Sequence, residues 1–449
     1  MERRTKWLIA LPLAAALALL CVCMGVVGVT SLRRLSQADG LVRSFQLRTT
    51  PATSEETQTF PIDRPARLVI DNPCGSVTVR GADRSDIIVT IQRQAWGANE
   101  QDAQAQLETL ELELAQEGDT LQISLPDPEK ACRNLAGLGE PPRINLDITT
   151  PVQTAARITT DAGSIDLEAL GLEARLETQF GAISVHDLGA GLEARTQNGK
   201  IEAVRVQAGD QAIQLSSQFG SIHLEQARGG KLEIASDNGG IELSKVDIIE
   251  ASKLNSAFGN LGWQGGSSPS VELQSQNGKI TLSGLQAAES LRAQSDFGDI
   301  TLEQVASQAV HLTTLNGRIE VDGAAGQLQA QTDFGDIQIL NAEAVDFDLT
   351  SKNGKIVFQG SLGAGPHTAK TDFGSIQVQI PAGTGFDYDL QTEFGKISVG
   401  EPGQPGVELQ PQTPVDKKHW QGSANGGGAL VQAVTQNGNI SIELAPPAP

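Results

Sequence analysis

One short unit, S/T-x-F/N-G-x-I-x-L/V, recurs along this chain from about residue 160 to 400, and few folds can accommodate that. Gln331–Leu340, QTDFGDIQIL, is a representative copy. Its glycine falls at 163, 181, 199, 220, 239, 259, 278, 298, 317, 335, 354, 374 and 395, with further copies at 75 and 438. A period of 18–21 residues held this long marks a stacked-repeat architecture, in which each unit buries its apolar face against its neighbours.

Within a unit, apolar or small residues alternate on both sides of the glycine: Leu328, Ala330, Thr332 and Phe334 before it, Ile337 and Ile339 after it. Period-two alternation on either side of a turn predicts two half-buried strands per unit. A hydroxyl stands two residues before every F/N, from Thr178 to Thr392. On the inward face it can bond a neighbouring coil or the turn backbone, so no donor is orphaned. Asn-Gly between strands is also a hairpin signal. Half the units, however, carry Phe there, which tolerates positive φ poorly, so a coil corner accounts for them better than a hairpin meander.

Phe and Asn alternate before the glycine: Phe180, Asn198, Phe219, Asn238, Phe258, Asn277, Phe297, Asn316, Phe334, Asn353, Phe373. One turn could therefore hold one unit or two. The residue after the glycine runs Lys279, Asp299, Arg318, Asp336, Lys355. Single-unit turns stack these as alternating charges about 4.8 Å apart, whereas double-unit turns would stack like on like. Phe334 is expected to fill space beside Asn316 and Asn353, as close packing requires. The reading is an all-β, single-stranded β-solenoid (parallel β-helix) of about 15 coils of 18–21 residues, on the order of 70 Å long.

Residues 1–6 are basic, and Trp7–Thr30 runs without a charge for long enough to cross a bilayer at roughly 20 residues per span. Residues 1–30 are thus expected to be a cytoplasmic tip and a transmembrane signal-anchor helix, and the Thr/Ser-rich residues 31–60 a flexible linker. Residues 61–150 form the first part of the solenoid. They include one short helix in Ala98–Leu114, which has no Gly or Pro, suited to capping the exposed end of a stack. Residues 151–400 are the regular repeat. Residues 401–449 combine a Gly/Pro-rich loop with a closing coil around Asn437-Gly438.

The formal charge of −21 keeps a long surface soluble and leaves no basic stripe for nucleic acid. Cys74 and Cys132 could pair in an oxidising compartment, but two cysteines carry no spacing code. No metal, cofactor or catalytic pattern is legible. Asp296, Asp299, Asp333, Asp336 and Asp372 gather near the turns, interleaved with Lys and Arg, as a charge ladder would. His186, His223 and His311 fall at outward parity, and His367 and His419 near loops. Only Trp96 and Trp420 look like exposed rings for glycan stacking, while Trp263 sits at inward parity.

The opening VIDNPCGSVTVRG, the helix followed by EGDTLQI, the repeated T-x-x-G-x-I units and the closing ANGGGALVQAVTQNGNISI together resemble the bacterial putative-adhesin β-solenoid family, catalogued as a domain of unknown function and akin to the head-GIN putative adhesins. The resemblance covers roughly residues 61–449. It implies a β-helix on an envelope-associated protein and carries over no catalytic residues. The expected role is a membrane-anchored, extracytoplasmic, non-enzymatic surface module binding a surface protein or glycan. The alternatives are a glycan-active β-helix enzyme and an envelope-stress or assembly partner of another membrane protein.

Overall fold

The computed structural model describes residues 49–62, 65–127, 132, 140–400 and 414–445. Successive units lie parallel and in register: Thr178 pairs with Thr160 on one side and Thr196 on the other, and Ile183 with Ile165 and Ile201. Each unit is one turn, which decides the choice between one and two in favour of one. The isoleucines after the glycine form a buried column from Ile165 to Ile376, interrupted only by Leu261. Leu176, Ala194, Leu215 and Ile234 form another on the preceding strand. The core is the space these columns share.

The hydroxyl position does what its parity implies. Thr332 Oγ1 donates to the Gly317 carbonyl at 3.0 Å and Ser351 Oγ to the Gly335 carbonyl at 3.0 Å, each reaching back one coil. The glycine answers a requirement of space rather than of φ. A Cβ on Gly335 would stand 1.9 Å from the carbonyl oxygen of Gly317, and the other glycines of the column meet their neighbours as closely. A second corner follows four residues after the isoleucine, where Asp187, Arg205, Gln226, Lys245, Gln304 and Asn341 hold φ between 50° and 57°. Left-handed backbone costs a non-glycine residue roughly 1–2 kcal/mol, which the ladders on either side must offset.

At both ends the stack departs from chain order. Ala66–Asp71 lies between Thr120–Ser124 and Thr154–Ala162, so the later segment forms the outer rung. Ala429–Asn437 likewise lies between His367–Phe373 and Phe386–Phe394. Antiparallel strands then cover the open edges: Glu113–Glu117 on Thr120–Ser124, Asp86–Gly97 on Arg143–Pro151, and His419–Ala424 on Phe386–Phe394. Such covering removes the row of unpaired backbone groups that a solenoid end would present. Thr50–Pro61, within the expected linker, is a strand paired antiparallel with Asp86–Gly97.

The expected membrane-spanning helix at Trp7–Thr30 lies outside the described residues. Among those described, no helix is long and apolar enough to cross a membrane, which corrects the expected fold on that point. The single described helix, Glu100–Leu107, has eight residues. That is about 12 Å against a hydrocarbon core of about 30 Å. It is also shorter than the Ala98–Leu114 expected, because Glu113–Glu117 pairs as a strand. Asn99 caps it by accepting from Asp102 N–H, while Asp102 accepts from Ala98 N–H. It packs on the antiparallel strands Asp86–Gly97 and Thr50–Pro61, so it backs the cap without closing the stack itself. Cys74 and Cys132 form a disulfide.

Candidate functional site: a column of exposed phenylalanines

The residue before each glycine was expected inside, and the structure places it outside. Thr332 is buried, Asp333 half-buried and Phe334 fully at the surface, 58% exposed. Thr332, tied to the previous coil's glycine, is the last inward residue before the turn, two residues before the point where strict alternation would end the inner wall. Phe180, Phe219, Phe258, Phe297, Phe334, Phe373 and Phe394 are all between 55% and 70% exposed. In a chain with twelve Phe, this is more than half of them held in water along one corner. A soluble surface rarely aligns large apolar groups without a use for them.

The column runs in spatial order. Phe180 pairs with Asn198, Asn198 with Phe219, Phe219 with Asn238, Asn238 with Phe258 and Phe258 with Asn277. Beyond Phe297, Asn316 pairs with Phe334, Phe334 with Asn353 and Asn353 with Phe373. In the sequence Phe373 and Phe394 then follow one another with no Asn between them. In space Asn437 stands between them, paired with both. The inserted closing rung therefore completes the alternation that chain order breaks. At about 4.8 Å per rung, successive rings are roughly 10 Å apart.

The charged residues beside the column do a different job from the one expected. Asp336 Oδ1 accepts the main-chain N–H of Lys355 at 2.8 Å, and Asp299 Oδ1 that of Arg318 at 2.8 Å. Asn260 and Asn439 do the same for Lys279 and Lys396, both at 2.9 Å. Carboxylate and amide are interchangeable here because the bond runs to backbone. Lys352 Nζ does pair with Asp333, at 2.6 Å. Lys200 beside Glu202, 2.9 Å away, has its pKa raised by that bond, and the Glu202 carboxyl is lowered in return.

The histidines remain scattered. His311 Nδ1 meets Gln329 at 3.0 Å, His419 meets Asp389 at 2.7 Å, and His223 lies near Glu225 and Glu242. His367, expected at the surface near a loop, is instead fully buried, 4.9 Å from the Phe347 ring, and neither ring nitrogen makes a hydrogen bond of good geometry. Burial pushes its pKa down, with the Asp346 carboxylate and the Gly363 backbone opposing. Trp263 is buried, its Nε1 donating to Gly265 O at 2.9 Å. Among the described residues no three His, Cys, Asp or Glu are placed to hold a metal. An open cleft of about 650 Å³ is lined by Arg67, Arg157, Arg175, Glu173 and Glu193 among others. Glu193 is engaged there by Arg175 at 3.2 Å and Arg195 at 2.7 Å.

Residues 231–443 match the model of the Toastrack family, DUF4097. Over those residues the chain is similar to the Toastrack family. Solved structures similar to the chain include the following three. A putative cell adhesion protein from Clostridium sporogenes is 9% identical over 88% of this chain and 100% of its own, with a TM-score of 0.19. A putative adhesin from Bacteroides fragilis is 14% identical over 61% of this chain and 99% of its own, with a TM-score of 0.26. A putative lipid binding protein from Parabacteroides distasonis is 12% identical over 73% and 96%, with a TM-score of 0.20. No curated protein matches the chain. The Toastrack match begins at Lys231, so it takes in Phe258, Phe297, Phe334, Phe373 and Phe394 but not Phe180 or Phe219.

Proposed function

We propose that this protein is a non-enzymatic, adhesin-like binding module on the extracytoplasmic face of the cell envelope, and that the phenylalanine–asparagine column is its binding edge. The observation that carries the reading is the file of seven exposed Phe, each one residue before a glycine of the column. The Cys74–Cys132 disulfide supports an oxidising compartment, and the charge of −21 suits a solvated surface protein that does not bind nucleic acid. The alternative of a glycan-active enzyme calls for a carboxyl pair free to act on one bond. At the Arg-lined cleft, Glu193 is already held by two arginines.

Binding of the fluorescently labelled chain to intact cells tests the edge. Replacing Phe258, Phe297 and Phe334 together by Ala should reduce cell binding at least tenfold while leaving the circular dichroism unchanged. Undiminished binding refutes the assignment. Placement is checked separately by protease shaving: a body cut only after lysis is not on the outside.

A further inference from the structure

We infer that the column is a platform for an extended, uncharged β-1,4-linked pyranose chain, laid along the solenoid axis with every second sugar on a phenylalanine ring. This deepens the reading above and rests on it.

Period comes first. Two rungs span about 9.6 Å, close to the disaccharide repeat of an extended β-1,4-linked chain. In such a chain alternate sugars are flipped, so the same ring face recurs at every second residue. The protein alternates with the same period: an aromatic ring on one rung and a carboxamide on the next, from Phe180 to Phe394. Phenyl groups stack on the C–H faces of sugars, and each Asn offers two N–H donors and a carbonyl acceptor to hydroxyls.

The alternation also keeps the rings apart. Identical aromatics on consecutive rungs would stack on each other, as they do in ladders of identical strands. Here an Asn intervenes even between Phe373 and Phe394, where the chain must insert Asn437 from 43 residues beyond Phe394 to achieve it.

Charge selects the ligand. In a chain of net −21, the position after the glycine carries Lys200, Lys279, Arg318, Lys355 and Lys396 beside Asp299 and Asp336. The position before the Phe or Asn carries Asp237, Asp296, Asp333, Asp372 and Glu393 with Lys352. Both signs flank the rings closely and the rest of the molecule is acidic. A polyuronate would be repelled and an uncharged polymer would not.

A second copy of this chain fits less well. Stable dimers bury about 1,200–2,000 Å² with a contiguous apolar centre, and a single file of rings separated by amides supplies no such centre.

The test is co-sedimentation of the full chain with insoluble β-1,4-glucan and chitin, against β-1,3-glucan, and titration with soluble β-1,4 oligosaccharides of two to eight sugars. Binding should be confined to β-1,4 polymers, rise stepwise with each added disaccharide, and fall at least tenfold in F258A/F297A/F334A. Asn316→Phe adds apolar surface but closes the gap between Phe297 and Phe334. It should weaken glycan binding, whereas a merely sticky edge would bind more. No binding to β-1,4 polymers, with Phe-dependent cell binding retained, overturns the glycan inference and leaves the module reading standing. Loss of neither on the triple substitution overturns both. A concentration-dependent dimer abolished by the triple substitution assigns the edge to copy–copy contact and overturns the inference.

Discussion

Thr392 donates its hydroxyl to the carbonyl of Gly438, 2.9 Å away and 46 residues further along the chain. Elsewhere in the column the same bond reaches backward, as from Thr371 to Gly354. Thr435 in turn reaches Gly374 at 3.0 Å. The outermost regular rung is thus seated on the closing segment, and the closing segment on the rung before it.

Deleting residues 429–449 should therefore unseat Phe386–Phe394, which would keep only its antiparallel partner His419–Ala424. Hydrogen exchange should show loss of amide protection across 386–399, with 165–340 unaffected. Retained protection would mean that this rung stands without its parallel neighbour.

Gly335→Ala should cost about 3 kcal/mol or more, because its Cβ would meet the Gly317 carbonyl at 1.9 Å and backbone on both sides cannot yield. Gly118→Ala has open space around the new Cβ and only a φ of +61° against it, so roughly 1–2 kcal/mol is expected. Denaturant titration of the two variants checks the order.

Ile337 is fully buried between Ile319 and Ile356, so Ile337→Asp places an unpaired charge in the core and should disrupt several coils. Asp336→Asn should change stability by less than about 0.5 kcal/mol, since Asn260 makes the equivalent bond to Lys279 N–H. Thermal melts of both variants distinguish inner wall from outer edge.

His367 gives the solenoid a dependence on pH. Its folded pKa is lowered from 6.5 by burial, so the unfolded chain binds the proton more readily. Its contribution to stability is full above 6.5 and is lost as pH falls through the folded pKa. His367→Leu replaces a buried ring whose nitrogens lack a hydrogen bond of good geometry, between Phe347 and Val431, and should both stabilise the protein and flatten its melting temperature between pH 5 and 7.5.

Much of this was legible in the repeat. The alternating charges of Lys279, Asp299, Arg318, Asp336 and Lys355 after the glycine implied single-unit coils, and the unbroken hydroxyls implied an inward polar row with backbone partners. The exposed ring was missed because parity was counted through to Phe334, whereas the inner wall ends at Thr332. The left-handed corner leaves no mark, since Asp187, Arg205, Gln226 and Lys245 share no chemistry. His367 was misplaced because Gly363 to Pro366 reads as a loop, while the strand resumes at once after it. The swapped rungs had one visible signal: Phe373 and Phe394 stand in succession where the alternation calls for an Asn.

A stack whose last-made coil is also its outermost can be assembled as the chain emerges, and can peel from its tip. This one cannot do either in order at its C-terminal end. Residues 386–400 have no parallel seat until 429–445 exist, and the Gly374 rung meanwhile offers an open edge that any similar strand could occupy. Until the closing segment arrives, a neighbouring nascent chain competes for that place. Once it has arrived, withdrawing it means first lifting the rung that lies over it.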